Sequence, residues 1–139
     1  MAFLIDTNVL SEAVRPDPDP QVLAWLASLR PMDAFISVLT LGEIRKGVAM
    51  MAPGARRAKL EGWLSRDLPA RFQGRVLEVD HAVALAWGVL AAEGRRMGRP
   101  LPVLDGLLLA TARAHALTFV SRDVSDAGDR GVPVFTPWG

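Results

Sequence analysis

Four acidic side chains stand at positions where carboxylates could work together: Asp6, Glu43, Asp105 and Asp123. Carboxylates that lie within several Å of one another repel, and each raises the others' pKa unless a cation neutralises them. A hard divalent cation such as Mg²⁺ or Mn²⁺ prefers these oxygen ligands. If the four acids converge, they favour a metal site of the kind that activates water and stabilises negative charge on phosphate.

Each of these acids also has an ordinary structural interpretation. Asp105 could complement a helix dipole, Glu43 could be a solvated helix residue, and Asp123 and Asp126 could form turns. Taken one at a time, the ordinary interpretation is the better one. Only the combination of the acids favours a metal site.

Other site chemistries have weaker support. The chain has no cysteine, which excludes disulfides, zinc–thiolate sites and thiol nucleophiles. His81 and His115 fall at helix ends, where a structural role is more common than a catalytic one. Ser37 and Ser121 end predicted strands without a histidine partner for a triad, and no glycine-rich loop indicates ATP or NAD.

Short apolar runs alternate with helical patterns along the chain. This alternation predicts an α/β fold with a mainly parallel sheet of four to five strands, covered by helices on both faces. Thr7 is predicted to cap the first helix, and the prolines of residues 16–20 predict a stiff loop. We predict strands at 3–5, 34–37, 76–79, 117–121 and 132–135, and helices at 8–14, 21–29, 38–51, 55–68, 81–96 and 103–115.

The predicted sheet decides which acids can meet. Ligands of such sheets bind at the carboxyl ends of the strands, and this edge receives Asp6, Asp123 and, in the helix after the second strand, Glu43. Asp105 reaches the edge only if residues 97–102 climb back along the helix that precedes them. Six extended residues span roughly 20 Å, whereas that helix descends roughly 25 Å, so the position of Asp105 stays conditional.

Charge is unevenly distributed around a formal net charge of +1. Residues 43–99 carry eleven basic and six acidic residues, which could hold a polyanion by its phosphates or could simply cover solvated helix faces. Asp6 interrupts any signal-peptide core, and no apolar run approaches the roughly 20 residues that span a bilayer. We therefore expect a single-domain cytoplasmic protein, residues 1–139, with no membrane contact.

Four ordered motifs resemble those of a known family. They are Leu4–Asn8, Leu41–Ile44, Asp105–Gly106 followed by Ala110–Ala112, and Val120–Asp123. In order and spacing they closely resemble the motifs of PIN domains, and most of all those of the VapC toxins of bacterial toxin–antitoxin pairs, in the FitB-like branch. The likeness covers essentially the whole chain and implies a three-layer α/β/α sandwich.

The resemblance implies a ribonuclease that depends on Mg²⁺ or Mn²⁺. By analogy, Asp6 and Asp105 would bind the metal most directly. Glu43 and Asp123 would bind it directly or through water, or would orient the nucleophile, so that all four acids are catalytic residues.

Further positions match the surroundings of the family's site. Thr7 and Ser121 match positions that commonly support it. Asp126 stands where many members have another acid, so that either Asp123 or Asp126 would complete the site. The RNA target, whether a transfer RNA, a ribosomal RNA or a message, stays open.

A protein partner is also implied by the resemblance. It is a small antitoxin, VapB- or FitA-like, that covers the pocket and carries a DNA-binding domain, with the helices predicted within residues 38–68 as a clamp for its peptide. A homodimer and larger toxin–antitoxin assemblies are implied as well. Two other functions would use the same features: a non-catalytic antitoxin-binding subunit of an autoregulatory repressor, and a metal-dependent nuclease that acts on DNA.

Overall fold

A parallel sheet of five strands forms the centre of the protein, as the alternation of apolar runs predicts. The computed structural model describes all residues 1–139. Its strands are β1 Phe3–Ile5, β2 Ala34–Ser37, β3 Val76–Leu77, β4 Thr118–Val120 and β5 Val134–Phe135. They lie in the order β3-β2-β1-β4-β5, and every neighbouring pair is parallel.

Helices connect the strands and cover both faces of the sheet. None of them is both long enough and apolar enough to span a membrane. They are α1 Thr7–Glu12, α2 Pro20–Ser28, α3 Val38–Ala49, α4 Ala55–Gly62 continued by a π-helical turn Trp63–Asp67 into α5 Leu68–Arg71, α6 His81–Arg96 and α7 Val103–Ala114, with a short 3₁₀ turn at Pro31–Asp33.

Two apolar clusters lie on opposite faces of the sheet, because neighbouring residues of a strand point to opposite sides. Ile5 and Val120 belong to the cluster beneath α1 to α5. Their neighbours Leu4 and Phe119 belong to the cluster beneath α6 and α7. The sheet is therefore the middle of three layers, which confirms the predicted α/β/α sandwich.

Helices α6 and α7 run in the same direction. Gly106 of α7 lies against Trp87 of α6, where an added Cβ would stand 3.1 Å from Nε1 of the indole. Seven residues further along α7, Arg113 pairs with Glu93, six residues further along α6, at 3.3 Å. Contacts that advance together along both helices require parallel axes, so the segment between the helices must climb.

The stagger of these helices makes the climb of residues 97–102 short enough. Because Gly106 lies level with Trp87, the first residue of α7 lies level with the first turn of α6. Met97 and Gly98 close the end of α6 with a turn in which the N–H of Arg99 donates to the carbonyl of Gly94 at 2.8 Å. The chain from Arg99 to the start of α7 then rises past roughly ten helical residues, or roughly 15 Å, and four extended residues span roughly the same distance. Asp105, in the first turn of α7, is thus delivered to the carboxyl edge of the sheet.

Two helix starts differ from the prediction. Thr7 does not cap α1; its N–H donates to the carboxylate of Asp6 at 2.7 Å, and Asp6 is the N-cap. Pro20 does not end a loop but begins α2, because the Asp19 carboxylate caps that helix by accepting from the N–H of Gln21 at 2.8 Å. Proline is well tolerated at the first helical position, where its missing N–H would have no partner.

Phe72 follows α5 and is fully buried in the first apolar cluster. We predict that Phe72→Ala lowers the free energy of unfolding by about 3–5 kcal/mol, because it removes an aromatic ring and leaves a cavity. Urea denaturation measures this loss. Phe135→Ala is the matched control, since Phe135 is 39% exposed and should cost much less; equal losses would contradict the assignment of Phe72 to the core.

Candidate active site

A cleft of about 220 Å³ opens at the carboxyl ends of β1 and β4. It lies where the sheet geometry predicts a ligand site. Four aspartates line it together with an asparagine, a buried serine and an apolar floor. These residues are Asp6, Asn8, Leu101, Asp105, Leu109, Phe119, Ser121, Asp123, Asp126 and Ala127.

Asp6 is the most constrained of these acids. Its Oδ1 accepts from the N–H of Thr7 at 2.7 Å, and its Oδ2 accepts from the hydroxyl of Ser121 at 2.8 Å. Burial raises the pKa of the Asp6 carboxyl, and the two hydrogen bonds offset part of that rise. The nearby charges of Glu43 and Asp105 raise the pKa further, so these acids are electrostatically coupled to Asp6.

Asn8 and Ser121 tie the ends of β1 and β4 together. The Asn8 amide nitrogen donates to Oγ of Ser121 at 3.2 Å, and its Oδ1 accepts from the backbone N–H of Arg122 at 3.2 Å. Ser121 is 3% exposed. The sequence analysis did not predict Asn8 as a site residue. Its position in the first turn of α1, two residues after Asp6, could have indicated it.

Glu43 is held on the far side of Asp6 by Thr7. The Thr7 hydroxyl donates to Oε1 of Glu43 at 2.7 Å, so Thr7 supports both acids, one through its backbone and one through its side chain. Glu43 and Thr7 are not among the residues that line the first cleft; they line a second cleft of about 250 Å³. We name it the clamp cleft; α1, α3 and α4 form it, and Gly47 and Trp63 are among its other lining residues.

Asp123 and Asp126 both reach the cleft and are both exposed. Oδ1 of Asp123 accepts from the N–H of Ser125 at 3.0 Å and from its hydroxyl at 2.7 Å. These hydrogen bonds lower the pKa of the Asp123 carboxyl. Asp123 is therefore the better ordered acid of the two, and it is held in the ionised form.

The donor set of the cleft fits a hard divalent cation. None of the four ion pairs of the chain involves Asp6, Glu43, Asp105, Asp123 or Asp126, so no lysine or arginine forms a direct ion pair with them. No three acid or histidine side chains converge closely enough to hold one ion by themselves. Mg²⁺ commonly takes one or two carboxylates and keeps several waters, so these oxygen ligands suit it without a closer cluster.

The raised pKa of Asp6 predicts how the stability of the metal-free protein depends on pH. A carboxyl whose pKa is raised by folding contributes its full stability below the usual value of 3.8, and that stability is lost as pH rises through the folded value. At pH 7 in EDTA, Asp6→Asn should therefore melt at a higher temperature than the unsubstituted protein, because the substitution removes the buried charge. Asparagine also caps helices well, so the start of α1 is kept. The difference should vanish near pH 3.

Thermal melts across this pH range measure the effect. Asp17→Asn is the control, because Asp17 is exposed in the loop before α2 and should give no pH-dependent difference. A difference between Asp6→Asn and the unsubstituted protein that is the same at pH 3 and pH 7 would show that burial of the Asp6 charge is not its cause.

Known proteins resemble this chain over nearly its whole length. The family described as "PIN domain" matches residues 3–125. Toxin FitB of Neisseria gonorrhoeae is 37% identical over 136 residues, 98% of each chain. VapC ribonuclease Y4jK of Sinorhizobium fredii is 33% identical over 136 residues, 98% of this chain and 97% of the relative.

A solved structure is equally similar. The crystal structure of FitAcB from Neisseria gonorrhoeae superposes with a TM-score of 0.93 at 37% identity, covering 98% of each chain. The chain therefore belongs to the PIN-domain family, among the FitB and VapC toxins.

Proposed function

We propose that the protein is a divalent-metal-dependent endoribonuclease that acts as the toxin of a toxin–antitoxin pair. The observation that carries the proposal is the Asp6 carboxylate, which is largely buried beside Glu43 and Asp105 with no cationic side chain to neutralise it. Relatives named as ribonucleases, Y4jK among them, support the reaction type. Acids held in this state suit a metal ion and a phosphate group better than a structural role.

Asp6 and Asp105 would hold the ion, with Glu43 and Asp123 binding it directly or through water. When bound, Mg²⁺ or Mn²⁺ would supply a Lewis acid that lowers the pKa of water and neutralises charge on the phosphate. The protein's own contribution is orientation. Ser121 and Thr7 fix both oxygens of Asp6 by hydrogen bonds, so the carboxylate cannot rotate away from the cleft.

Glu43 is suited to handle the proton. Hydrolysis requires water to attack phosphorus while the bond to the leaving oxygen breaks, and a base must take the proton that the water loses. Thr7 occupies Oε1 of Glu43, which leaves Oε2 available as the acceptor. The leaving oxygen takes its proton from solvent at the open face of the cleft.

Basic residues next to the acids would hold the RNA backbone. Arg45 and Lys46 directly follow the Glu43–Ile44 turn of α3 and are exposed. The chain has no tyrosine and five phenylalanines, so stacking surfaces for bases are scarce. Recognition by RNA shape and phosphate charge is therefore favoured over base readout.

The purified protein should cleave structured RNA when Mg²⁺ or Mn²⁺ is added. Asp6→Asn or Asp105→Asn should reduce the cleavage rate by at least roughly 100-fold, as expected when an electrostatic group of a catalytic site is removed. Labelled RNA on denaturing gels measures the rate, and circular dichroism checks the fold. Asp17→Asn is the matched control for the loss of one acid and should cleave normally.

The same assay separates the alternatives. Cleavage that persists in both Asp6→Asn and Asp105→Asn would overturn the assigned site. Binding of the antitoxin with no cleavage and no Mn²⁺ binding would favour the non-catalytic subunit, and faster cleavage of single-stranded DNA would favour the DNA nuclease. Comparing Asp123→Asn with Asp126→Asn decides which of the two completes the site; the hydrogen bonds to Asp123 favour Asp123.

We further propose that the clamp cleft receives a peptide of the antitoxin. The cleft opens beside Glu43, so a peptide lying there would border the proposed catalytic acids. The similar FitAcB structure is that of a toxin–antitoxin complex. We also propose that the toxin forms a homodimer and larger assemblies with the antitoxin. In these assemblies the antitoxin would bind DNA.

Gly47 offers a direct test of the clamp cleft. It is exposed in α3, lines the cleft, and has no atom within 4 Å of an added Cβ. Gly47→Leu should stabilise the helix by about 1 kcal/mol but fill the cleft, which should weaken antitoxin binding by at least roughly tenfold. Calorimetry with the antitoxin encoded beside the toxin gene measures the affinity.

Gly88→Leu is the matched control for this substitution. Gly88 is exposed in α6, away from the clamp cleft, and an added Cβ there also meets nothing within 4 Å. Its antitoxin affinity should be unchanged. Equal affinities of the Gly47 and Gly88 variants would place the antitoxin elsewhere on the protein.

A further inference from the structure

The segment that carries Asp123 and Asp126 has little structure of its own. Residues 122–131, which we name the acidic loop, connect β4 to β5 without a helix or strand. Within it the backbone forms one turn, in which the N–H of Gly128 donates to the carbonyl of Val124 at 3.0 Å. Contacts from outside the loop must therefore set the place of its acids.

Arg99 supplies most of these outside contacts. Its Nη2 donates to the carbonyl of Ser125 at 3.2 Å and approaches that of Asp126 at 3.5 Å, while its Nη1 donates to the carbonyl of Gly128 at 3.4 Å. No carboxylate pairs with this guanidinium. Its planar donors instead reach three carbonyl oxygens of one turn, those of residues 125, 126 and 128, which an ammonium group could not do from one position.

Arg130 reinforces the same arrangement from within the loop. Its Nε donates to the carbonyl of Asp126 at 2.5 Å, its side chain is nearly fully buried, and its Nη1 has no partner. Burial lowers the pKa of this guanidinium, and the charge of Arg99 lowers it further. Two cations thus stand side by side because the loop's carbonyl oxygens face them.

Gly94 of α6 provides the room for both arginines. An added Cβ at this position would stand 3.0 Å from Nη1 of Arg130 and 3.0 Å from the carbonyl oxygen of Arg99. Both distances are shorter than ordinary van der Waals contact. A glycine in the interior of a helix is unfavourable, and here the close approach of the two loops requires it.

The place of Arg99 in the chain links the two loops that deliver the acids. It lies in the climbing segment 97–102, which also brings Leu101 to the cleft and leads directly to Asp105. We propose that Arg99 is a positioning residue, which fixes Asp123 and Asp126 relative to Asp105 by holding the acidic loop through its carbonyls. This role rests on the proposed nuclease function, although the holding itself can be measured without it.

The variants Arg99→Gln and Arg99→Lys test the proposal, with Arg96→Gln as the matched control. Arg96 is exposed at the end of α6 and forms no hydrogen bond or ion pair with the acidic loop, so its variant loses the same charge in the same region. Circular dichroism establishes that each variant is folded. Arg99→Lys keeps the charge and the stem, and therefore remains informative if Arg99→Gln does not fold.

Hydrogen exchange of the acidic loop is measured first, in the full protein with EDTA. Both Arg99 variants should exchange the amides of residues 123–128 roughly tenfold faster, because local opening becomes easier, while Arg96→Gln should match the unsubstituted protein. The Mn²⁺ concentration for half-maximal RNA cleavage is measured next. It should rise roughly tenfold or more in both Arg99 variants, as expected when a group that orients a metal ligand is lost.

Three results would overturn the positioning role. They are unchanged exchange in both Arg99 variants, normal Mn²⁺ dependence in Arg99→Lys, and equal defects in Arg96→Gln, which would indicate a general loss of positive charge. A protein that cleaves no RNA would overturn the proposed function instead. In that case Mn²⁺ binding followed by electron paramagnetic resonance replaces the cleavage assay, with the same expected shift, and the exchange data decide as before.

Discussion

Keeping a charged carboxylate at the end of a buried strand is the constraint on which the rest of the site depends. Asp6 loses much of its hydration there, and its pKa rises for that reason. Each oxygen consequently has a hydrogen-bond donor, one from the start of α1 and one from the end of β4. The acid therefore caps a helix and joins two strands, so that its direction is fixed by the fold.

The second constraint is topological. A parallel sheet brings the ends of β1, β2 and β4 to one edge, but α6 and α7 both run away from that edge. The chain between them must return the full distance, and it does so because α7 starts level with the first turn of α6. The close packing of Gly106 on Trp87 sets this stagger, since a side chain at that position would push the helices apart. Packing within one helical layer thus decides whether Asp105 meets Asp6.

These two constraints explain what the sequence could and could not predict. The sheet and its order of layers followed from local patterns, because each strand is a short apolar run and each helix has one buried stripe. Asp105 could not be placed in this way, since its position depends on the stagger of two helices rather than on residues near it. The bonds of Asn8 were missed for a similar reason: their partner Ser121 lies more than a hundred residues away in the chain. The sequence predicted a role for Asp6 in the site but not its second role, which is to cap α1.

Thr7 connects the acids of the two clefts, and this bears on how a nuclease of this kind would be inhibited. Its hydroxyl donates to Glu43, which lines the clamp cleft, and its backbone N–H donates to Asp6, which lines the first cleft. A peptide in the clamp cleft that displaced Thr7 or moved Glu43 would alter both acids without entering the cleft that Asp6 and Asp105 line. Because Asp6 is already destabilised by burial, a small change in these donors would shift its charge balance more than the same change at an exposed acid. Inhibition could thus act through the orientation of two carboxylates as well as through steric exclusion of RNA.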